Sequence, residues 1–173
     1  MTIHVCPLSR VPHVARMHKV SHLVSILDPG TPFPAVKEVG RRHLCVEAHD
    51  IEEEMEGLDP CCDLRMKRML EFVSGWDRAR PILIHCYAGI SRSTATAFIT
   101  ACAQNPGADE ETIAVALREA SPSASPNRRF VALADAELGR EGRMSRAIER
   151  IGRGASWYDI GEATPFSMPS RYA

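Results

Sequence analysis

Cys86 and Arg92 are the residues whose types and spacing best support chemistry. Five residues separate them, and the cysteine ends an apolar run over residues 82–84. A loop of this length that opens into a helix lets successive backbone N–H groups and the positive end of the helix dipole converge on one tetrahedral anion. Gly89 suits the middle of the loop because it takes positive φ and has no Cβ. The stretch therefore predicts a phosphate-binding nest with a nucleophile at its base.

The residues around this nest have predicted roles. Arg92 presents a planar fork of donors that matches two phosphate oxygens. Helix N-termini and nearby cations favour thiolates, so we expect Cys86 to be ionised at neutral pH. We expect Ser93 to offer its hydroxyl to the sulfur and His85 to brace the loop through backbone carbonyls. The expected phosphate-binding residues are Tyr87, Ala88, Gly89, Ile90, Ser91 and Arg92. The alternative is that Cys86 is a buried, inert hydrophobe at the end of a core strand.

Residues 85–93 resemble the signature of the cysteine-dependent protein tyrosine phosphatase superfamily, which is His-Cys, five residues, Arg, then Ser or Thr. The variant with Gly89 and Ser91 is similar to the compact dual-specificity-like branch, whose size the chain shares. The resemblance implies a phosphocysteine intermediate on Cys86 and no metal or organic cofactor. It also implies a separate aspartic acid that protonates the leaving group.

Asp50 is the best candidate for that acid. A positioned general acid contributes about 10² to 10⁴ in rate, so the chemistry itself demands one. Asp50 follows an apolar segment, residues 44–48, that predicts a strand, and it lies 36 residues before the cysteine. In the resembling family the acid likewise lies on a loop before the cysteine. The alternative is that Asp50 caps a short helix over residues 51–55. The other candidate acids are Asp59, Asp63 and Glu52.

Two further residues enter through the resemblance. Pro126, Asn127 and Phe130 match a pattern of the branch, which implies that Asn127 helps to position the phosphate loop. The alternative is that Asn127 only starts a helix. Some members of the superfamily protect the nucleophile in a disulfide, and Cys45 is the candidate partner of Cys86. The alternative there is a packed core thiol.

Length and composition limit the class of protein. The chain has 173 residues, 45% of them hydrophobic and 25% charged, which fits one globular domain. A net charge of −1 argues against a nucleic-acid partner. No apolar stretch reaches the length of a membrane span, and no signal segment is visible, so we expect a cytoplasmic protein with no membrane partner. The six cysteines are irregularly spaced, which predicts neither a disulfide framework nor a zinc site. We expect no metal site at His43, Cys45 and His49, although they lie close together in the sequence.

Apolar patterns along the chain predict an α/β fold. Strands are expected over residues 2–6, 22–27, 44–48 and 82–86, and helices over 9–20 (capped by Ser9), 64–76, 94–102, 109–120 and from 125 onward. Alternation of strands and helices predicts a single domain with a mainly parallel central sheet flanked by helices. Residues 1–151 form the expected phosphatase domain. Residues 152–173 form a C-terminal tail whose aromatic residues, including Trp157, predict packing on the domain.

These observations favour a protein phosphatase that hydrolyses phosphotyrosine, with phosphoserine and phosphothreonine as further candidates. Phosphorylated protein is the expected substrate, with phosphate or another oxyanion held in the loop. The uncharged Tyr87, Ala88 and Ile90 disfavour lipid headgroups, for which relatives of the resembling family carry lysines. The alternatives are a phosphate-binding module without catalysis and a sulfur-transfer enzyme, which also uses a loop cysteine.

Overall fold

The central element is a five-stranded sheet with the order β3-β2-β4-β1-β5. The structure is a computed structural model, and it describes residues 1–155 and 158–173. The strands are β1 (Thr2–Pro7), β2 (His22–Leu27), β3 (His43–Glu47), β4 (Ile82–Cys86) and β5 (Phe166–Pro169). The first four run parallel, and β5 pairs antiparallel with β1. The predicted α/β fold with a mainly parallel sheet is confirmed.

Within the described residues, six α-helices pack around the sheet. They are α1 (Val11–Met17), α2 (Asp63–Ser74), α3 (Arg92–Gln104), α4 (Glu110–Ala120), α5 (Arg128–Glu137) and α6 (Arg143–Ile151). One face of the sheet, with Ile82 and Ile84, packs into a core shared with α2 to α6. The opposite face, with Leu23 and Leu83, packs against α1. Both faces are therefore largely buried, which explains why most residues of the parallel strands are apolar.

Several predicted boundaries differ from the observed ones. A 3-10 turn over Leu8–Arg10 replaces the start of the predicted first helix, and α1 begins only at Val11, with Pro12 in its first turn. Ser9 therefore caps no helix, and its hydroxyl donates to the Glu162 carboxylate at 2.9 Å. The short helix considered over residues 51–55 is absent, since those residues form bends and irregular chain.

The C-terminal residues contribute two elements that the sequence patterns did not predict. α6 is only nine residues long, although its apolar residues 144, 147, 148 and 151 follow helical spacing, and β5 is only four residues long and ends in proline. The division into a domain of residues 1–151 and a tail of residues 152–173 stays a prediction, and Trp157 lies outside the described residues. None of the described helices is long and apolar enough to cross a membrane. The cytoplasmic location stays a prediction.

Candidate active site

The candidate site lies at the carboxyl end of β4, where parallel sheets bind their ligands. Cys86 ends β4, residues 87–91 form a loop, and Arg92 begins α3. The loop opens into a cleft of about 660 Å³. The cleft brings together most of the predicted site residues. Its lining residues are Asp50, Ile51, Glu52, Glu53, Met55, Cys86, Tyr87, Ala88, Ile90, Ser91, Arg92, Asn127, Arg153, Tyr158 and Gly161.

The carbonyl groups of the loop are held from outside the loop by other backbone amides. The acceptors Tyr87 O, Ala88 O, Ile90 O and Ser91 O receive N–H donors from residues 8, 163, 125 and 127, at 3.0, 2.8, 2.9 and 3.3 Å respectively. In a trans peptide the C=O and the next N–H point in opposite directions. The outward carbonyls therefore turn the following amides towards the inside of the loop, as a nest for an anion requires.

Gly89 fits the centre of the loop for two physical reasons. Its φ of +75° lies in the left-handed region that favours glycine. A Cβ added there would lie 2.9 Å from the backbone N of Pro7, at the end of the neighbouring strand. The loop therefore packs on β1 so closely that only glycine fits.

Cys86 is 2% exposed at the base of the loop. Its Sγ lies 3.1 Å from Ser93 Oγ, and the Gly89 N–H donates to it at 3.3 Å. The Gly89 N–H donates to the sulfur, and the Ser93 hydroxyl in the first turn of α3 lies within hydrogen-bond distance of it. The hydroxyl donates whenever the sulfur is a thiolate, which has no hydrogen to give.

Arg92 is held rigidly while part of its guanidinium stays available. Its side chain is almost completely buried, and Nη1 donates to Asp28 Oδ1 and to the carbonyl of Ala48, both at 2.7 Å. Its Nε is buried and has no hydrogen-bond partner among the described residues. Two contacts on one nitrogen therefore fix the plane of the guanidinium and leave Nε as a donor for a ligand.

Asp50 is tied to the loop and to the start of α5. Ser91 Oγ and Asn127 Nδ2 donate to the same oxygen, Asp50 Oδ1, at 2.7 and 2.8 Å. Oδ2 makes no hydrogen bond within the described part of the chain. The carboxylate is therefore oriented through one oxygen, with the other left for a substrate.

Asn127 bridges three parts of the site. Its Oδ1 accepts from the N–H of Phe130 and so caps α5, while Nδ2 donates to Asp50 and, at 3.3 Å, to the carbonyl of Ile51. Its backbone N–H holds the carbonyl of Ser91. The predicted contact with the phosphate loop is thus accompanied by a contact with the candidate acid that the sequence did not reveal.

The other candidate acids have different environments. Asp59 is exposed and paired with Arg65 at 2.5 Å, and this hydrogen bond lowers the pKa of its carboxyl. Asp63 begins α2 at the surface. Glu52 lines the cleft, but its carboxylate is paired with Arg153 at 3.1 Å. Geometry thus favours Asp50 as the acid.

His85 and Cys45 lie on the face of the sheet opposite to Cys86. His85 Nδ1 lies 3.0 Å from the carbonyl oxygen of Cys86, as expected for a brace. In the strand register, Ser25 is opposite both Cys45 and His85, so these three side chains share one face and Cys86 points to the other.

The disulfide considered between Cys45 and Cys86 does not fit this geometry. β3 and β4 are separated by β2, which places the two strands about 10 Å apart, whereas bridged cysteines need Cα atoms within about 7 Å. All six cysteines are free thiols. Within the described residues, no group of three His, Cys, Asp or Glu side chains is arranged to hold a metal.

The sequence did not predict some parts of the site. Asp28 follows β2 in what the sequence indicates only as a turn, yet it anchors Arg92. Arg153, Tyr158 and Gly161, which lie between α6 and β5, line one side of the cleft. These contacts join residues distant in sequence, and no local pattern marks them.

Comparison with solved structures shows which known fold the chain has. The chain matches DUSP15 with a TM-score of 0.60 and 20% sequence identity, over 86% of this chain and 90% of that one. It matches the human tyrosine phosphatase-like serine/threonine/tyrosine-interacting protein with a TM-score of 0.62 and 20% identity, over 80% and 92% of the two chains. The chain has the fold of the compact dual-specificity phosphatases.

A further structure with a similar fold was solved in complex with a lipid. PTPMT1 in complex with PI(5)P matches with a TM-score of 0.57 and 13% identity, over 87% of this chain and 94% of that one. No family model matches the sequence, and no curated protein matches it. The predicted resemblance is thus confirmed at the level of the fold.

Proposed function

We propose that this protein is a phosphatase that hydrolyses phosphotyrosine in proteins through a phosphocysteine intermediate on Cys86. The observation that carries the proposal is the buried, unpaired Nε of Arg92 beside the inward-turned loop amides. Buried donors in native proteins are nearly always satisfied, so an unpaired one indicates a ligand with acceptor atoms. A tetrahedral oxyanion satisfies Arg92 and the amides together.

In the first step, Cys86 attacks the phosphorus of the bound monoester. Sγ forms a bond to phosphorus while the bond to the tyrosine oxygen breaks. Asp50, protonated in the substrate complex, transfers its proton to the leaving oxygen. The loop amides and Arg92 hold the equatorial oxygens, where negative charge is greatest in the transition state.

In the second step, water displaces the thiolate from the phosphocysteine. Asp50, now a carboxylate, accepts a proton from the attacking water as the new P–O bond forms. The P–S bond breaks, and Ser93, at 3.1 Å from Sγ, donates to the sulfur that leaves. Inorganic phosphate is released, and both protein groups return to their starting states.

The lining of the cleft supports an aromatic phosphomonoester as substrate. Tyr87 and Tyr158 lie at the cleft with 65% and 77% of their surface exposed, and Met55 is exposed as well. Aromatic and sulfur-containing side chains pack favourably on a tyrosyl ring. Phosphoserine and phosphothreonine peptides are the further candidates. The loop side chains at 87, 88 and 90 carry no charge, which disfavours a multiply phosphorylated lipid headgroup.

Hydrolysis of p-nitrophenyl phosphate and of a phosphotyrosine peptide without metal, from pH 4 to 8, tests the proposal. Cys86→Ser abolishes activity because the nucleophile is lost. Asp50→Ala lowers kcat by about 10² to 10⁴ on the peptide, less on p-nitrophenyl phosphate, whose leaving group needs less protonation, and removes the alkaline limb of the profile. Asp59→Ala, at the exposed alternative acid, is the control and leaves kcat unchanged.

Other outcomes would redirect the assignment. Activity that survives Cys86→Ser excludes the phosphocysteine mechanism. A wild-type protein that binds the phosphopeptide without hydrolysing it indicates a phosphate-binding module. Faster release of phosphate from PI(5)P than from the peptide moves the substrate class to lipids. Production of thiocyanate from thiosulfate and cyanide indicates sulfur transfer.

A further inference from the structure

A chain of hydrogen bonds crosses three strands behind the nucleophile. His85 Nε2 lies 2.6 Å from Ser25 Oγ, and Ser25 Oγ lies 2.8 Å from His43 Nε2. His85 Nδ1 reaches the carbonyl oxygen of Cys86 at 3.0 Å. The chain thus runs from β3 at the edge of the sheet, through β2, to the last residue of β4.

Strand register creates this alignment. Ser25 is the partner of Cys45 on one side and of His85 on the other, and His43 is the partner of Leu23. Residues that are paired on neighbouring strands point to the same face of the sheet, and so do residues two positions away along each strand. Polar side chains on three strands consequently meet in a layer that is otherwise apolar. Ser25 and His85 are completely buried there.

The position of every hydrogen in the chain follows from its partners. A carbonyl oxygen only accepts, so His85 Nδ1 carries a hydrogen. Burial lowers the pKa of His85 to about 4, so the ring is neutral near pH 7 and its Nε2 is an acceptor. Ser25 then donates its single hydrogen to His85. Its oxygen accepts from the Nε2–H of His43, which also lies 3.5 Å from Cys45 Sγ, and burial lowers the pKa of His43 as well.

We propose that Ser25 and His43 are positioning residues for Cys86, which fix the ring of His85 and, through it, the first peptide of the phosphate loop. The inference rests on the proposed phosphatase function. His85 holds the Cys86 carbonyl outward, so the N–H of Tyr87 on the same peptide points the opposite way, into the nest. The same hydrogen bond partly offsets the negative charge on the carbonyl oxygen of the residue that carries Sγ, so its loss makes negative charge on Sγ less favourable.

Removing one hydrogen bond of this chain weakens the hydrogen bonds that remain. In Ser25→Ala, His85 Nε2 loses its donor, and the two neutral tautomers of the ring become closer in free energy. A ring with its hydrogen on Nε2 no longer donates to the Cys86 carbonyl. His43→Leu removes the donor that orients the Ser25 hydroxyl, whereas His43→Gln keeps an N–H donor on a side chain of similar reach and is the conservative variant.

The closing experiment compares wild type, Ser25→Ala, His43→Leu and His43→Gln by three readouts. The first is the tautomer of His85 from 15N shifts of the imidazole nitrogens. The second is the pH at which alkylation of Cys86 by iodoacetamide reaches half its maximal rate, resolved from the other cysteines by peptide mapping. The third is kcat and KM for p-nitrophenyl phosphate. Ser21→Ala is the matched control, since Ser21 is a buried hydroxyl 2.9 Å from His22 Nδ1 at the opposite end of β2.

We expect wild-type His85 to carry its hydrogen on Nδ1, and Ser25→Ala and His43→Leu to show a mixture. In both variants the midpoint of Cys86 alkylation moves to higher pH, and kcat falls by about threefold to tenfold, the range expected for one net hydrogen bond, with little change in KM. His43→Gln stays closer to wild type. His43 is only partly buried, so we expect its variants to fold and to be measurable even if Ser25→Ala does not fold.

An unchanged tautomer and alkylation midpoint in Ser25→Ala and His43→Leu, as in Ser21→Ala, would overturn the inference. The first two readouts need no turnover. A wild-type protein without phosphatase activity therefore refutes the proposed function, while the tautomer and the alkylation profile still decide whether the chain of hydrogen bonds positions Cys86.

Discussion

Arg92 shows how a single side chain is fixed in place before a ligand binds. Asp28 and the carbonyl of Ala48 both use Nη1, which holds the guanidinium plane without occupying Nε. A flexible arginine would lose about 1 kcal/mol or more of rotamer entropy on binding a ligand, and an anchored one has lost it on folding. In the proposed phosphatase, the two contacts that anchor Arg92 would therefore contribute to its affinity for phosphate.

Gly89→Ala tests how closely the loop is fitted at the level of one residue. The added Cβ meets Pro7 N at 2.9 Å in a left-handed backbone, so the loop must move and its amides no longer converge. We expect kcat/KM for p-nitrophenyl phosphate to fall by at least about 10²-fold, the effect of losing one well-placed oxyanion donor.

Gly139→Ala separates backbone strain from the fit of the loop. Gly139 also has positive φ, +63°, but no atom within 4 Å of an added Cβ, and it lies after α5 outside the cleft. We expect Gly139→Ala to lower the free energy of unfolding by about 1 to 2 kcal/mol, measured as a lower urea midpoint, and to leave kcat/KM unchanged. Equal kinetic losses in both variants would show that the contact with Pro7 does not matter.

At the scale of elements, the strand, loop and helix around Cys86 were predictable because their signals are local. Apolar residues define β4, and α3 is apolar on nearly every side because it runs through the core, where all but its last two residues are buried. The anchoring of Arg92 by Asp28 and of Asp50 by Asn127 was not predictable, since each joins residues more than 60 positions apart. α6 does carry an apolar stripe, at residues 144, 147, 148 and 151, but in a nine-residue helix the stripe spans only about two turns and is a weak signal by itself.

A buried ion pair joins α4 to the segment before α6. Arg140 donates to Glu110 at 2.9 Å, and both side chains are less than 10% exposed. Removal of one partner leaves an uncompensated buried charge, so we expect Glu110→Ala to lower the free energy of unfolding by about 3 kcal/mol or more. Urea denaturation at pH 7.5 measures this loss, and activity of the folded fraction is unchanged.

The next residue supplies the control for this prediction. Glu111 pairs with Arg150 at the surface, where both side chains are about half exposed. Exposed pairs contribute about 0 to 1 kcal/mol, so Glu111→Ala has little effect on the urea midpoint. Similar losses for Glu110→Ala and Glu111→Ala would mean that burial does not set the energetics of this pair.

At the scale of the whole molecule, both faces of the sheet are packed against other elements. Several histidines on the strands are therefore buried where a positive charge is unfavourable. Burial lowers the pKa of His4 and of His85 to about 4, and it lowers the pKa of His22 and His43 as well. These groups lie on four different strands. The protonation of the folded state is therefore coupled to the integrity of the entire sheet.

Stability is expected to fall as the pH drops from 6.5 to 5. Near pH 7.5 these histidines are mostly neutral in the folded and the unfolded chain, so they have little effect. Below it the unfolded chain takes up protons that the folded chain excludes, which favours unfolding by at most about 1.4 kcal/mol per pH unit for each such group. Carboxyl groups ionise mainly below pH 5, so this window isolates the histidines.

Urea midpoints at pH 7.5, 6.5, 5.8 and 5.0 measure the effect. His4→Gln removes one contribution and makes the decline shallower, whereas His13→Gln, at an exposed histidine on α1, leaves it unchanged. A midpoint that stays constant over this window would show that the buried histidines accept protons without disrupting the sheet.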